Sequence, residues 1–395
     1  MKEHKLVILI IIINLLFLLY GINSLSISYD EANILFNGTD FLHYLVYFST
    51  KLFGLNDFAI RLPFVLLHIL SLILLYKIGK LFLKRKIDRV VSIGLYAMLP
   101  GVNSAALLVN SAYIVIFCTL LFVYLYLHNY KKLAYFALLL FLFLDNAFAF
   151  LYLSIFFYAV FNRKKDLLWF SLLLFGISMY IFGFDTQGKP KGYFLDTLGA
   201  YAAILSVFVL LYFIYVMYRI LIKEDKNILW YISFVPFILS LLLSLRQKVM
   251  IEDFAPYVVI SIPLMVKVFF NSYRVRLPQH RKYHKSAFVI VFVFLAFNFL
   301  ISCFNKPLYL ILKNPNKHFA YKYHIAKDLA KILKSKGIYS VILNDDRLAL
   351  RLIFYGIKTD KGTYKLVHSN FNKRNFKTLS IKYCGRIIKQ FYIGH

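Results

Sequence analysis

Residues 6–31 read LVILIIIINLLFLLYGINSLSISYDE. The apolar run from Leu6 to Tyr20 is nearly long enough to cross a hydrocarbon core of about 30 Å. Where it gives way, two carboxylates stand side by side, Asp30 and Glu31. Acids are scarce here, 18 Asp and Glu against 47 Lys and Arg for a formal charge of +29. Two facts decide the fold and its chemistry: whether the run is a retained span, and which face the acid pair occupies.

The bulk composition answers the first. Hydrophobic residues are 61% of the chain, charged residues 16%, and the mean hydropathy is +0.69. A soluble domain has about 45–50% apolar and about 25% charged residues. "MKEHK" ahead of an apolar stretch also fits a signal peptide, but no small-x-small cleavage site follows, and the run reads as a retained span. Cys118, Cys303 and Cys384 are too few and too scattered for a disulfide framework or a metal knuckle. A Cys303–Cys384 bridge is conceivable but unsupported by spacing.

Hydropathy places about eleven spans along the chain. They are 6–25, 61–81, 88–108, 111–128, 132–144, 147–161, 167–184, 199–221, 228–245, 255–271 and 286–304. "LFLDNAFAF" is read as a turn between two half-length helices; the alternative, one long span, inverts everything after it. One set of linkers is strongly basic: "KIGKLFLKRKIDR", "NYKK", "NRKKD", "RILIKEDK" and "NSYRVRLPQHRKYHK". The alternate set holds Lys51 and Arg61, then Lys189 and Lys191, then Arg246 and Lys248. With Lys2 and Lys5, that is about 21 cations on one face against about 6 on the other, so the positive-inside rule puts the basic set in the cytoplasm. The N-terminus is then cytoplasmic and the C-terminus extracytoplasmic. Charge confined to linkers in this way argues for topology and against a nucleic-acid partner.

Asp30 and Glu31 therefore face outward, with Asp40, Asp57, Asp145, Asp185, Asp196, Glu252 and Asp253. No cytoplasmic linker carries a P-loop or a Gly-rich nucleotide fingerprint, so the activity is assigned to the outer face. After the acid pair, "DFLHYLVYFSTKLFG" is apolar at helical spacing and reads as a helix lying in the interface, with His43 and Lys51 as headgroup contacts. Arg61-Leu62-Pro63 then opens the second span, with proline in a first helical turn.

A first span, a loop bearing Asp30-Glu31, a helix ending in "KLFG", then "DFAIRLPFVLL" and "LLYKIGKLF" together resemble the membrane glycosyltransferases of the C-type fold. The branch is that of the protein O-mannosyltransferases and lipid A aminoarabinose transferases, and the likeness covers residues 20–130 best. The resemblance implies a polyprenyl-phosphate sugar donor, a catalytic acid in the first loop (Asp30, with Glu31 its neighbour), and an acceptor that is lipid A or lipopolysaccharide, another glycan, or protein. It leaves a divalent metal open. Two positions depart from the pattern. "FNGTDFL" stands where many relatives have His-Pro-Pro, and Asn110-Ser111 stands where many have an Asp after the third span.

The chemistry fits a single carboxylate. A glycosidase sets two acids about 5–10 Å apart across the bond it breaks, whereas sequence neighbours diverge on a helix or a strand. A sugar phosphodiester already has a good leaving group. One base then takes the acceptor's proton, cations hold the departing phosphate, and direct attack inverts the anomeric centre. Desolvation between bilayer and protein would make Asp30 a better base. The phosphate cations expected are Arg61, Arg246 and Lys248, with Glu252 and Asp253 able to pair with the last two. Asp145, beside Asn146 at the junction of two half-spans, and Asn110 are second-loop site candidates.

Plainer readings stand beside these. Asp30 or Glu31 could cap a helix starting near Ala32, and Arg61 could snorkel to the interface. A lipid-sugar flippase is one rival function, though no internal repeat of the kind such transporters show is found. A non-catalytic relative acting in cell-envelope assembly is another. The expected architecture is a polytopic α-helical membrane protein with a transmembrane module over 1–305, a catalytic loop over 26–60, and a basic extracytoplasmic α/β domain over 306–395. A bacterial inner membrane is the expected location. In the tail, "HFAYKYHIAKDLAKILKSKG" reads as a helix stopped by Gly337, "IYSVILND" as a strand, "DRLALRLIFYGI" as a helix, and "TYKLVHS" and "TLSIKYCGRIIKQFYIG" as strands. Its 19 Lys and Arg suit anionic lipid or an acidic acceptor.

Overall fold

The computed structural model describes residues 3–183, 192–359, 364–367 and 377–394. Asp185, Lys189, Lys191 and both ends of "TYKLVHS" lie outside them. The chain divides into two compact units. One comprises Met1–Leu15, Leu66–Ala106 and Ser111–Phe299, and the other comprises Leu16–Val65, Leu107–Asn110 and Leu300–His395.

The protein is a polytopic membrane protein. Four described helices are long and apolar enough to cross a bilayer: α1 (Glu3–Ser24), α4 (Asp57–Phe82), α10 (Lys165–Phe182) and α16 (Pro278–Cys303). At 1.5 Å per residue, the 22 residues of α1 match a hydrocarbon core of about 30 Å. Three expected single spans are bent pairs instead. These are α5 (Lys86–Met98) with α6 (Pro100–Leu107) at 59°, α11 (Phe194–Leu205) with α12 (Val207–Lys223) at 105°, and α14 (Ile251–Val259) with α15 (Ile262–Val275) at 41°. Pro100 forces Leu99 into extended backbone, and Pro263 withholds an N–H from the start of α15. Ser206 turns the second pair through φ 75°. A side chain at Gly101 would collide with Ile204 near this bend, so α6 and α11 meet through a residue that has none.

Shorter apolar helices are α7 (Ala112–Leu127), α9 (Phe148–Phe161) and α13 (Ile228–Ser244). Helix α8 (Lys131–Phe141) ends before a turn through Asp145, so the two half-length helices expected there are separate elements. The hydroxyl of Tyr257 holds that turn by donating to the Ala147 carbonyl at 2.7 Å. In this unit α13 packs on α9 and α14, and α14 packs on α7. Tyr113, Phe122, Phe148, Tyr152 and Tyr257 are fully buried.

The second unit gathers the first loop and the tail into one core. Helix α2 (Tyr29–Asn37) packs on α3 (Phe41–Phe53) and on α18 (Asp346–Phe354). Helix α3 buries Val46, Ser49 and Thr50 and exposes Tyr44, Tyr47, Phe48 and Leu52, the aromatic face an interfacial helix presents. Of the stretch 318–337 in the tail, only Ala326–Ser335 is α-helical (α17). The preceding residues form short 3-10 turns and Ile325 adopts φ 81°, so the helix expected from His318 starts late. Gly337 ends it at φ 73°, as expected. Strands β1 (Lys365–Val367), β2 (Lys377–Tyr383) and β3 (Arg386–Gly394) form an antiparallel sheet in the order β1-β3-β2. Cys384 and Gly385 turn β2 into β3 with φ 49° and 79°, the left-handed pair that a two-residue hairpin needs. "IYSVILND" makes only isolated bridges, Ser340 to Lys358 and Ile342 to Lys365. All three cysteines are free, so the conceivable Cys303–Cys384 bridge is absent.

Candidate active site

Helix α2 begins one turn earlier than Ala32, and the reason is local. Ser28 is the N-cap. Its hydroxyl accepts from the Glu31 N–H at 3.1 Å, and Glu31 Oε2 accepts from the Ser28 N–H at 2.8 Å. This is a capping box, and its Ser-x-x-Glu signature was legible in the sequence. It fixes Glu31 at the third helical position and turns Asp30 away from it.

Glu31 is buried, at 2% exposure, and Arg61 is wholly buried. They form an ion pair at 3.1 Å. Arg61 also donates to the carbonyls of Ile22, Leu25 and Ser26 at 3.4, 3.3 and 3.0 Å. Glu31 Oε1 accepts from the Val109 N–H at 3.1 Å. One guanidinium therefore closes the end of α1, the first turn of α2 and α4 around a single carboxylate. This corrects two expectations. Arg61 is no exposed phosphate ligand, because its donors are spent inside the protein. Nor does Pro63 open the second span, since Asn56 caps α4 earlier by accepting from the Ala59 N–H at 2.7 Å. Pro63 lacks the N–H that would reach Ala59, and Ser49 donates to that freed carbonyl instead at 2.6 Å.

Asp30 is exposed, with no hydrogen bond or ion pair among the described residues. Unlike Glu31, it is not buried by other parts of the protein. Of the neighbouring carboxylates, one anchors the loop and the other is exposed. Asn110 follows directly on Val109, so the second-loop position sits next in the chain to the amide that Glu31 holds.

The tail supplies positioning residues that sequence reading missed. Arg351 Nε donates to the Ile27 carbonyl at 2.7 Å, and its terminal nitrogen donates to Ser26 Oγ at 3.1 Å and the His324 carbonyl at 2.6 Å. The Tyr355 hydroxyl accepts from the Ile27 N–H at 2.9 Å and donates to Asp57 at 2.6 Å. Burial, then the Asp57 carboxylate, pushes the Tyr355 hydroxyl far above its usual range and keeps it a donor. Lys327 pairs with Asp57 at 2.8 Å and donates to the Asn23 carbonyl at 2.9 Å. No motif marks these residues, because they reach the first loop from 270 to 328 positions away.

Behind them lies a neutral histidine pair. His324 Nδ1 meets the Tyr309 hydroxyl at 2.7 Å and Nε2 meets Asn305 Oδ1 at 3.2 Å, while His318 Nε2 donates to the Asn305 carbonyl at 2.9 Å. Burial, with the charges of His318, Lys306 and Arg351, pushes His324 down to about 3.

The remaining candidates belong to the first unit. Asp145 accepts from the Ala147 N–H at 2.8 Å and caps the turn into α9. Lys248 lines a cleft of about 110 Å³ with Asn146, Gln247 and Asp253. Arg246 and Lys248 are exposed, and neither forms the expected ion pair with Glu252 or Asp253 among the described residues.

A metal fits poorly here. Both Glu31 oxygens face N–H donors, and the Arg61 charge repels a cation. Among the described residues, no group of three or more His, Cys, Asp or Glu is arranged to hold an ion.

Residues 41–184 match the family described as dolichyl-phosphate-mannose-protein mannosyltransferase. The match begins after Asp30 and Glu31. No curated protein matches the chain in sequence. In structure the chain is similar to crystalline ArnT from Cupriavidus metallidurans in the apo state, with a TM-score of 0.56 and 10% identity over 100% of this chain and 98% of that one. The chain shares the overall fold of that protein. The resemblance read from the sequence is thus met by a family match in one part of the chain and by the fold throughout.

Proposed function

We propose that this protein is an integral-membrane glycosyltransferase that moves a sugar from a polyprenyl-phosphate donor to an acceptor on the extracytoplasmic face. The acceptor classes in view are lipid A or lipopolysaccharide, another glycan, and protein. The observation that carries the reading is the division of labour within the acid pair. Glu31 is locked to Arg61, Ser28 and Val109, and Asp30 projects from the helix that Glu31 fixes.

In this mechanism the acceptor hydroxyl gives its proton to Asp30 as its oxygen forms a bond to the anomeric carbon. The bond from that carbon to the phosphate oxygen breaks, and its electron pair leaves on the polyprenyl phosphate. Attack from the face opposite the leaving group inverts the centre. Cations must hold the departing phosphate, and Arg246 and Lys248, exposed and without an acidic partner among the described residues, are the candidates the outer linkers offer. No step passes through a metal. The basic tail is assigned to the extracytoplasmic face, where it braces the loop.

The test is transfer by purified protein in proteoliposomes supplied with labelled polyprenyl-phosphate sugars. Turnover that Asp30→Asn abolishes supports the reading. Lipid movement without transfer, or full turnover by Asp30→Asn, overturns it.

A further inference from the structure

The first unit holds a cavity of about 480 Å³ bounded by α5, α12, α15 and α16. Its wall is apolar over most of its length, with Leu95, Phe208, Tyr212, Phe269, Phe288 and Leu295 facing in. One end is different, because Arg276 and His284 line it. A second cleft of about 350 Å³ adjoins that end, walled by Arg85, Tyr273, Arg274 and Arg281, and Phe270 lines both. The two rims are tied together, since Arg281 Nε donates to the Arg276 carbonyl at 2.8 Å.

The charge at this end is unbalanced. Arg274 pairs with Asp88 and lies 5.1 Å from the Phe270 ring centre. Among the described residues, Arg85, Arg276 and Arg281 have no acidic partner. An apolar slot of ligand-binding size, within the range of about 300–1,000 Å³, thus opens beside three uncompensated guanidiniums. A soluble anion would leave the slot unused. A zwitterionic lipid would bring its own cation among the arginines.

We propose that this is a binding site for an anionic phospholipid, with one acyl chain in the aromatic slot and its phosphate on Arg85, Arg276 and Arg281. The linkers concerned belong to the set that charge asymmetry assigns to the cytoplasm, the leaflet in which anionic headgroups meet basic pockets between spans. The proposal does not depend on the transfer chemistry, which is assigned to other residues.

The experiment is native mass spectrometry and thermal unfolding of the purified full chain in detergent. Phosphatidylglycerol, phosphatidylcholine, glycerophosphoglycerol without chains, and a polyprenyl phosphate are each titrated in. One phosphatidylglycerol retained per chain, with a raised Tm and at least a tenfold preference over the other three, supports the site. Equal retention of phosphatidylcholine means a bulk lipid shell and overturns it, as does preference for the free headgroup or for the polyprenyl phosphate. Arg85→Gln with Arg276→Gln is expected to remove the headgroup preference, and Val291→Trp, in the α16 wall of the slot, to exclude the chain. If these variants misfold, the wild-type comparison of headgroups decides alone.

Discussion

Glu31 and Arg61 meet at 3.1 Å with side chains 2% and 0% exposed, one position along the chain from a carboxylate that stands in the open. Removing one member of such a pair leaves the other charge buried and uncompensated, at a cost of about 3–5 kcal/mol. Arg61→Leu and Glu31→Gln are each expected to lower the unfolding free energy by that order, read as a fall in Tm of the purified protein. A double replacement that costs no more than either single would show the coupling. Unchanged Tm in both singles would contradict the buried pair.

Asp30 makes the opposite prediction. Asp30→Asn should leave Tm where it is and cut kcat by about 10²–10⁴-fold, the usual contribution of a general base. Loss of folding along with activity would assign Asp30 a structural role instead.

The Tyr355 hydroxyl joins the tail to the first loop through Ile27 and Asp57. Tyr355→Phe leaves the Ile27 N–H without its acceptor, at about 1–3 kcal/mol, and releases α2 from one brace. Transfer activity and Tm should both fall, whereas Tyr339→Phe, at an exposed position, should change neither.

Ser49 and Pro63 form a testable couple at the Ala59 carbonyl. Ser49→Ala alone should cost about 1 kcal/mol. In a Pro63→Ala background a backbone N–H can reach the same carbonyl, and the cost of Ser49→Ala should shrink. Equal costs in both backgrounds would refute the exchange.

His324 sets a pH response with a definite sign. Its folded value, pushed down to about 3, lies below the ordinary value near 6.5. Between those values the unfolded chain binds the proton and the folded one does not, so stability falls as pH drops through 6.5 and continues to fall toward 3, by at most about 1.4 kcal/mol per pH unit for this group. His318 is shifted down by burial too and adds to the trend. Unfolding measured at pH 7 and pH 4.5 should show the loss, and His324→Gln should flatten it. An identical slope in the variant would remove His324 from the account.

The membrane class, the separation of α8 from α9 at Asp145, the aromatic face of α3 and the stop at Gly337 were all legible in the sequence. Each follows from short-range pattern: apolar run length, periodicity, and a residue that tolerates positive φ. The bends in three expected spans were less so. Hydropathy averages over a window and is blind to backbone direction, and of the residues at those breaks only Pro100 and Pro263 carried a local sign.

The roles within the acid pair divide along the same line. The sequence by itself determined that two carboxylates leave the first span together and that, as neighbours on a helix, they must point apart. It could not say which turns inward. That was decided by Arg61 from thirty positions away, by the Val109 amide, and by the tail residues that seat Ser26 and Ile27. A buried charge goes where enough donors converge to replace its water, and convergence of distant segments is a property of the folded chain alone.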